Sequence, residues 1–537
     1  MCDSVRRKAR LSHLLAQVLL VQVLLSSSLV FAASCSNLSA LKLKGTTITR
    51  AQPITTGTFA PHAGRPLVNL PAFCRVEGIA KPSPDSDIQF EVWMPVSGWN
   101  GKFRGAGNGG FAGSISYGDM ARALRAGYAT ASTDTGHRAK DTDAHWALGH
   151  PQKVIDFGYR AIHLTALNAK AILKAFYGQP ARYSYFESCS DGGREALMEA
   201  QRYPGDYNGI LAGAPANYWT LLLSAAFFNT QAPGLVNRAS YIPASKLPAI
   251  SAAVLAACDA EDGVKDGILN DPAECHFNPS TLLCKGAESA ACLTAPQVAE
   301  LRKIYAGLRK PDGERLFPGY MPGGELGGGG WKLWITGDAP AASLQYAFGI
   351  NYFRDMVFDN PAWNYSAANV NTAIRLATRE TVRALNATDA NLTAFERRGG
   401  RLILYHGWSD AAIPPLNTVN YYNSVVARLG RAETKSFVRL YMVPGMQHCG
   451  GGPGPSFFGQ LGVVRASDPA HNVSAALEQW VEKGIPPESI IAAKYANPFH
   501  PLQGVEMTRP LCPYPQIAKY KGFGNPNDAA NFVCALP

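Results

Sequence analysis

The stretch YSYFESCSDGGREALMEAQRYP (183–204) constrains the fold more than any other part of the chain. A β-prone run passes through a few small residues straight into a helical run, with no room for a loop. A strand that ends this way hands its chain to a helix packed against the sheet beside it. The same alternation recurs on both sides. IQFEVWMPV (88–96), GKFRGAGNGGFAG (101–113) and YATASTDTG (128–136) read as strands or strand–turn units, and VIDFGYRAIHLTALNAKAILKAFYG (154–178) as a helix stopped by Gly178. GILAGAPA (209–216) is a further strand. From residue 401 come strand RLILYHG, helix PPLNTVNYYNSVVARLG, strand FVRLYMVPG and helix AALEQWVEKG. Strands alternating with helices predict an α/β fold with a mostly parallel sheet.

Residues 220–395 lose that alternation and read as a large insertion across the sheet. Residues 36–85, rich in Pro and Thr, read as an irregular lead-in. No internal repeat is visible. Hydrophobic residues make up 47% of the 537, enough for a large core. Residues 1–32 have the form of a secretory leader: basic RRKAR, apolar LLAQVLLVQVLL, and small-residue VFA with cleavage after Ala32. The expected location is therefore secreted or periplasmic. Basic residues of this leader account for part of the net charge of +10, and no Lys/Arg-rich run occurs elsewhere. No nucleic-acid partner is expected. No other apolar run reaches the ~18 residues of a membrane helix, so no membrane partner is expected either.

Ten cysteines follow the leader, an even number that implies five disulfides in an exported chain. Order alone leaves the pairing open. Local spacing suggests Cys258–Cys275, Cys284–Cys292 and Cys512–Cys534. Cys35–Cys74 would tie down the N-terminus, and elimination leaves Cys189–Cys449.

S-C-S-D-G is a variant of the G-x-S-x-G turn that lifts a serine above a sheet. It departs from that pattern in carrying Ser188 where glycine is usual. Asp410 follows strand RLILYHG and His448 follows strand FVRLYMV, so both sit at strand C-terminal ends, where open α/β sheets place their ligands. Taken singly, Asp410 reads as a solvated turn residue and His448 as a loop histidine. The order Ser, Asp, His, each on its own strand end, points to a triad in which Ser190 attacks, His448 takes its proton and Asp410 holds the imidazole.

FESCSDGGREALMEAQRYPGDYNGILAGAPA, GWSDAAIPPLNTVNYY, PGMQHC and PLCPYPQIAKYKG resemble the tannase and feruloyl esterase family of α/β hydrolases across roughly residues 35–537. The resemblance implies an α/β-hydrolase catalytic domain from 33–219 and 396–537 and an inserted lid domain over 220–395. It implies a carboxylic ester hydrolase acting on small aromatic esters. It also implies an oxyanion hole on the backbone N–H of Asp191 and on a glycine of GNGGFAG, taken as Gly110.

CDAEDGVKDGILND (258–271) places Asp259, Asp262 and Asp266 within a short glycine-punctuated loop whose hard oxygen donors suit Ca²⁺, although the spacing is not that of an EF-hand. A solvated acidic turn is the competing reading. The resemblance implies a calcium loop, with the carbonyls of Val264 and Ile268 completing it. YAFGINYFRDMVFDNPAWNY (346–365) supplies aromatics for an aromatic-acid pocket, with Phe353 and Phe358 as candidates, and Ile413 follows Asp410 at the same rim. Packing of the insertion is the competing reading. Family members that hydrolyse mono(2-hydroxyethyl) terephthalate carry a lid arginine. Gln345 stands at that place here, and Arg354 is the nearest arginine. Feruloyl- or galloyl-type ester hydrolysis is the leading expectation. Terephthalate monoester hydrolysis and an inactive, calcium-stabilised phenolic-binding protein are the alternatives.

Overall fold

A nine-stranded sheet forms the centre of the computed structural model, which describes residues 34–61, 64–310, 312–460, 467–497 and 503–537. The expected leader, 1–32, lies outside the described residues. The strands are β1 (Thr46–Ile54), β2 (Phe73–Ala80), β3 (Ile88–Pro95), β4 (Lys102–Ala106), β5 (Ala129–Thr133), β6 (Tyr183–Cys189), β7 (Gly209–Gly213), β8 (Arg401–Gly407) and β9 (Val438–Val443). Their order is β1-β2-β3-β5-β4-β6-β7-β8-β9. Pairing is parallel from β5 to β9 and antiparallel from β1 to β5. The sheet is thus mostly parallel, as the alternation predicts.

Parallel strands are buried on both faces, and their side chains alternate between two cores. Phe186, Ile210, Leu404 and Leu440 join one apolar cluster. Tyr185, Leu211, Ile403, Tyr405 and Tyr441 join another on the opposite face. Helices α2 (Ala161–Tyr177), α3 (Asp191–Arg202) and α7 (Leu416–Leu429) bring Ile162, Leu197 and Val419 to the first. Helices α1 (Tyr117–Arg125) and α8 (Val473–Lys483) bring Ala123, Leu477 and Trp480 to the second. Gly178 caps α2 at φ 73, a left-handed position that glycine adopts without steric cost.

The lead-in is a correction. Residues 36–85 contain β1 and β2, which extend the sheet by an antiparallel pair. Arg75 and Glu77 broke the apolar run of β2 in the sequence. In the fold Arg75 is buried and donates to Glu91 from Nε at 2.8 Å, while Trp93 Nε1 and the Tyr117 hydroxyl donate to the same carboxylate at 2.8 and 2.7 Å. A charge satisfied this way tolerates burial. β1 lies at the sheet edge, where Pro53 is tolerated.

Among the described residues, 220–395 contributes no strand to this sheet. In this part of the chain α4 (Trp219–Gln231) packs with α5 (Leu344–Asn351) and α6 (Val370–Glu380) over an aromatic core. One stretch here, Arg238–Cys258, is long and apolar enough by composition to cross a membrane, which corrects the reading that no such run exists. It is broken into short turns before the helix Leu247–Cys258, and Leu247, Ile250 and Val254 are buried among Leu269, Leu301 and Trp331. All five disulfides pair as the spacing and elimination suggest.

Candidate active site

Ser190 occupies the single residue between β6 and α3, at φ 68 and ψ −126. Non-glycine residues reach this region at a cost of roughly 1–3 kcal/mol, so the turn must be over-determined by its surroundings. It is: the Ser190 N–H donates to the Gly213 carbonyl at 2.9 Å, and the Ser190 carbonyl accepts from Arg194 and Ala216 at 3.1 Å each. The neighbouring positions admit no side chain. A Cβ on Gly193 would overlap the Gly213 carbonyl, and one on Gly192 would overlap Ser188 Oγ. A Cβ on Gly107 would lie 2.8 Å from Ser188 Oγ and 2.5 Å from Glu195 Oε2. Ser188 is accommodated because the residues facing it are glycines.

Asp410 follows β8 and His448 follows β9, and the structure brings both to Ser190. His448 Nδ1 lies 2.8 Å from Asp410 Oδ2 and Nε2 lies 2.8 Å from Ser190 Oγ. The carboxylate accepts, so Nδ1 carries the proton and Nε2 is free to accept from the serine hydroxyl. Asp410 Oδ1 accepts from the backbone N–H groups of Ala412 and Ile413 at 2.7 and 3.0 Å. Burial pushes this carboxyl up. The charge of His448 and the hydrogen bonds from His406 and His448 outweigh that and hold it below the usual carboxylate range. Cys189 and Cys449, bridged to each other, are the residues adjoining Ser190 and His448.

Asp191 opens α3, and its N–H is one of the first-turn donors that have no partner within their own helix. Its side chain turns away and pairs with Arg194 at 2.6 Å inside the fold. Arg194 also donates to the carbonyls of Gly158 and Phe157 at 2.6 and 3.1 Å, groups made available by a π-helical turn at Asp156–Arg160. Gly110 has φ 58, and a Cβ there would overlap the Asp141 carbonyl. The loop carrying Gly110 is held on several sides. Asn108 donates its N–H to Glu195 Oε2 at 2.9 Å and accepts from Gly192 at 2.8 Å. His137 Nε2 lies 2.7 Å from the Phe111 carbonyl, and burial pushes that imidazole down to about 4, so the neutral ring donates there.

Ser190, Asp191, Gly110 and His448 line a cavity of about 1090 Å³. Its apolar wall comes from Trp219, Leu222, Trp334, Phe348, Ala412 and Ile413. Trp334 meets His448 edge-on at 5.2 Å between ring centroids. Ile413 is among the residues that line the cavity. Phe353 and Phe358 are not, and this is a correction. Phe353 is fully buried against Phe227, Tyr352 and Trp363, and Phe358 stacks on Trp363 at 4.8 Å. Leu344, Gln345 and Phe348 share the cavity-facing side of α5, whereas Phe353 falls in the π-helical turn Tyr352–Val357 beyond it and packs inward. Gln345 lines the cavity. Arg354 is engaged by Asp355 through two bonds of 2.6 Å.

In the acidic loop, Asp259, Asp262 and Asp266 each turn one oxygen to a backbone N–H, those of Gly267, Val264 and Ile268 at 2.9, 2.9 and 3.1 Å. Burial pushes Asp262 up to about 6, and the charge of Asp266 adds to the rise. Arg509 donates to Asp266 Oδ2 at 2.7 Å, and Asn270 donates to the Ala518 carbonyl at 2.8 Å, fastening the loop to the C-terminal segment. These are hard oxygen donors of the kind calcium takes, but among the described residues the three carboxylates do not come together as a close donor group. A second group of donors was not visible in the sequence, because its members are far apart in it. Potential ligand atoms of His163, Glu199 and Asp206 lie within 4.8 Å of one another, on α2, α3 and the loop before β7. His163 Nδ1 is 2.6 Å from Asp206 Oδ2, and burial raises the Glu199 carboxyl well above its usual range.

Residues 74–535 match the family model described as tannase and feruloyl esterase. An uncharacterized esterase of Xanthomonas campestris is 46% identical over 526 residues, covering 94% of this chain and 91% of that protein. A probable feruloyl esterase B-2 of Aspergillus terreus is 34% identical over 470 residues, 86% of each. The crystal structure of feruloyl esterase B from Aspergillus oryzae superposes with a TM-score of 0.86 at 29% identity, covering 93% of this chain and 99% of that one. A tannin acyl hydrolase from Aspergillus niger shares the fold at a TM-score of 0.72, with 22% identity and 92% of each chain covered. The chain belongs to the tannase and feruloyl esterase family and is a carboxylic ester hydrolase of the α/β-hydrolase fold.

Proposed function

We propose that this protein is a secreted serine esterase that cleaves esters of aromatic carboxylic acids, feruloyl or galloyl in type, through an acyl-enzyme. The observation that carries the reading is the unbroken hydrogen-bonded chain from Ser190 through His448 to Asp410, opening on a cavity with an aromatic wall. Ser190 Oγ attacks the ester carbonyl while His448 Nε2 takes its proton, and Asp410 stabilises the imidazolium. The backbone N–H groups of Asp191 and Gly110 receive the charge that develops on the carbonyl oxygen. His448 then protonates the departing alkoxide, and a water activated by the same base releases the acid. Residues 33–219 and 396–537 would form the catalytic body and 220–395 a lid. Five disulfides fit an oxidising compartment outside the cytosol. Calcium would be held by Asp259, Asp262 and Asp266 with the carbonyls of Val264 and Ile268, as a structural ion that fastens the lid to the C-terminal segment.

Gln345 favours a phenolic acyl group over a terephthalate monoester. Its Nε2 donates to the Tyr320 hydroxyl at 2.6 Å and to the Ala411 carbonyl at 3.3 Å, and the Tyr320 hydroxyl in turn donates to Ala412. That fixes the amide orientation and leaves Oε1 a buried acceptor at the cavity wall with no hydrogen-bond partner in the protein. Such an acceptor welcomes a hydroxyl and repels a carboxylate. The test is turnover of methyl ferulate, methyl gallate and mono(2-hydroxyethyl) terephthalate side by side, with Ser190→Ala as control. Ser190→Ala is expected to lose at least three orders of magnitude in kcat. Near-normal activity in folded Ser190→Ala would refute the mechanism, and preference for the terephthalate ester would refute the substrate class. Binding of phenolics without turnover by the wild type would favour the inactive-protein alternative.

A further inference from the structure

A second histidine stands on the aspartate of this site. His406 is the penultimate residue of β8, four residues before Asp410, and is completely buried. Its Nε2 lies 3.0 Å from Asp410 Oδ2 and 3.1 Å from the carbonyl oxygen of Ile413. Both neighbours only accept, so Nε2 must carry a proton. On the other side of the ring, Nδ1 lies 2.7 Å from Thr418 Oγ1, a hydroxyl free to rotate and donate to it. The tautomer with its proton on Nε2 satisfies all three contacts. The oxygen it reaches is the one that holds His448 Nδ1. Asp410 Oδ2 therefore takes two imidazole N–H groups while Oδ1 takes two backbone N–H groups. The titratable groups in this neighbourhood are Asp410, His448 beyond it and the Tyr320 hydroxyl, which is turned to the Ala412 carbonyl.

We propose that His406 is a positioning residue for ester hydrolysis: it pins Asp410 Oδ2 so that His448 faces Ser190. The inference rests on the reading of Ser190, His448 and Asp410 as the triad. One effect follows from losing the His406 donor. The carboxylate gains freedom to turn, which loosens the His448–Ser190 alignment and falls on kcat rather than on substrate binding.

The experiment compares His406→Leu, which removes the donor, with His406→Gln, whose amide N–H can reach the same oxygen, and with Asp410→Asn. Expected for His406→Leu is a kcat lower by about a hundredfold with KM within about twofold. His406→Gln should recover to within about tenfold of wild type. Wild-type kcat in folded His406→Leu overturns the proposal if Asp410→Asn is inactive. If Asp410→Asn is itself active, the triad reading fails instead. Should His406→Leu not fold, nitrogen-15 histidine spectra of the wild-type protein decide. The proposal requires the half-buried His448 ring protonated at Nδ1 and the buried His406 ring protonated at Nε2, told from the Nε2-protonated His137 by the signal that His137→Gln removes. A His406 ring protonated at Nδ1 overturns it.

Discussion

Removing the Cys189–Cys449 bridge by a double Cys→Ala substitution separates two roles of a crosslink. The bridge closes a separation of 260 residues. On a chain-entropy model a loop of that length is worth about 5.5 kcal/mol, and the shorter bridges at 258–275 and 284–292 inside it change that by only about 0.1 kcal/mol. Cys284–Cys292 closes only 8 residues and by the same model contributes about 2.5 kcal/mol. If the long bridge acted only on the unfolded chain, its loss would lower Tm by roughly 5 °C in a chain of this size and leave the folded enzyme's kcat unchanged. The geometry argues for more. Its two ends adjoin Ser190 at φ 68 and include Cys449 at φ 62, both in the left-handed region where non-glycine backbone relaxes unless held. Relaxation at either end shifts Ser190 Oγ against His448 Nε2, and a displacement near 1 Å costs about a hundredfold in rate. The assay is kcat on methyl ferulate at a temperature well below melting for both variants, with folding checked by circular dichroism. A hundredfold loss in the 189–449 variant beside wild-type kcat in the 284–292 variant is the expected result. Equal kcat in both variants and the wild type would refute the positional role and leave the bridge a stabiliser alone.

Chelation of calcium should lower Tm, since an ion that binds the native state preferentially stabilises it, and Asp262→Ala should reproduce the loss. Unchanged melting in excess chelator, with no calcium by metal analysis, would return the loop to a plain acidic turn. Gln345→Leu should cut kcat/KM for a para-hydroxycinnamate ester about tenfold while leaving the unsubstituted cinnamate ester unaffected, and an equal effect on both would show that Oε1 contacts neither. Because burial holds His137 down to about 4 against about 6.5 in the unfolded chain, the unfolded state binds more protons between those values. The associated stability is intact above about pH 6.5 and is lost as pH falls toward 4. Tm measured across that window should fall in the wild type and flatten in His137→Gln, and parallel curves would assign the acid limb to other groups.

The turn at Ser190 was legible because its requirements are local: a strand, a few small residues and a helix adjacent in sequence. Asp410 and His448 were legible through their order and their places after β-prone runs. Residues that act through distant contacts were harder. His406 belongs to an apolar strand and reads as part of it, although its place four residues before Asp410 could have raised the question. Arg75 and Glu77 hid β2 because the sequence does not show that Glu91 lies beside Arg75 in the sheet. Phe353 and Phe348 look equivalent in an aromatic run. Only the direction of the helix and the π-helical turn after it send one to the core and the other to the cavity. His163, Glu199 and Asp206 meet only after two helices pack side by side.

The interlock of Ser188 with Gly107 and Gly192 bears on how such a sequence can drift. The serine side chain fills the space that a methyl group at either glycine would need. Exchange of Ser188 for glycine removes one barrier to alanine at 107 and 192, yet the Asn108 carbonyl would still stand 2.8 Å from a Cβ at 192, and Glu195 Oε2 2.5 Å from one at 107. A single reversal at 188 therefore frees neither position. At 192 that backbone contact would require the Gly-rich loop to move away from the helix that begins at Asp191, whereas at 107 the remaining contact is the buried Glu195 carboxylate, so position 192 can change only together with the loop and position 107 only together with Glu195.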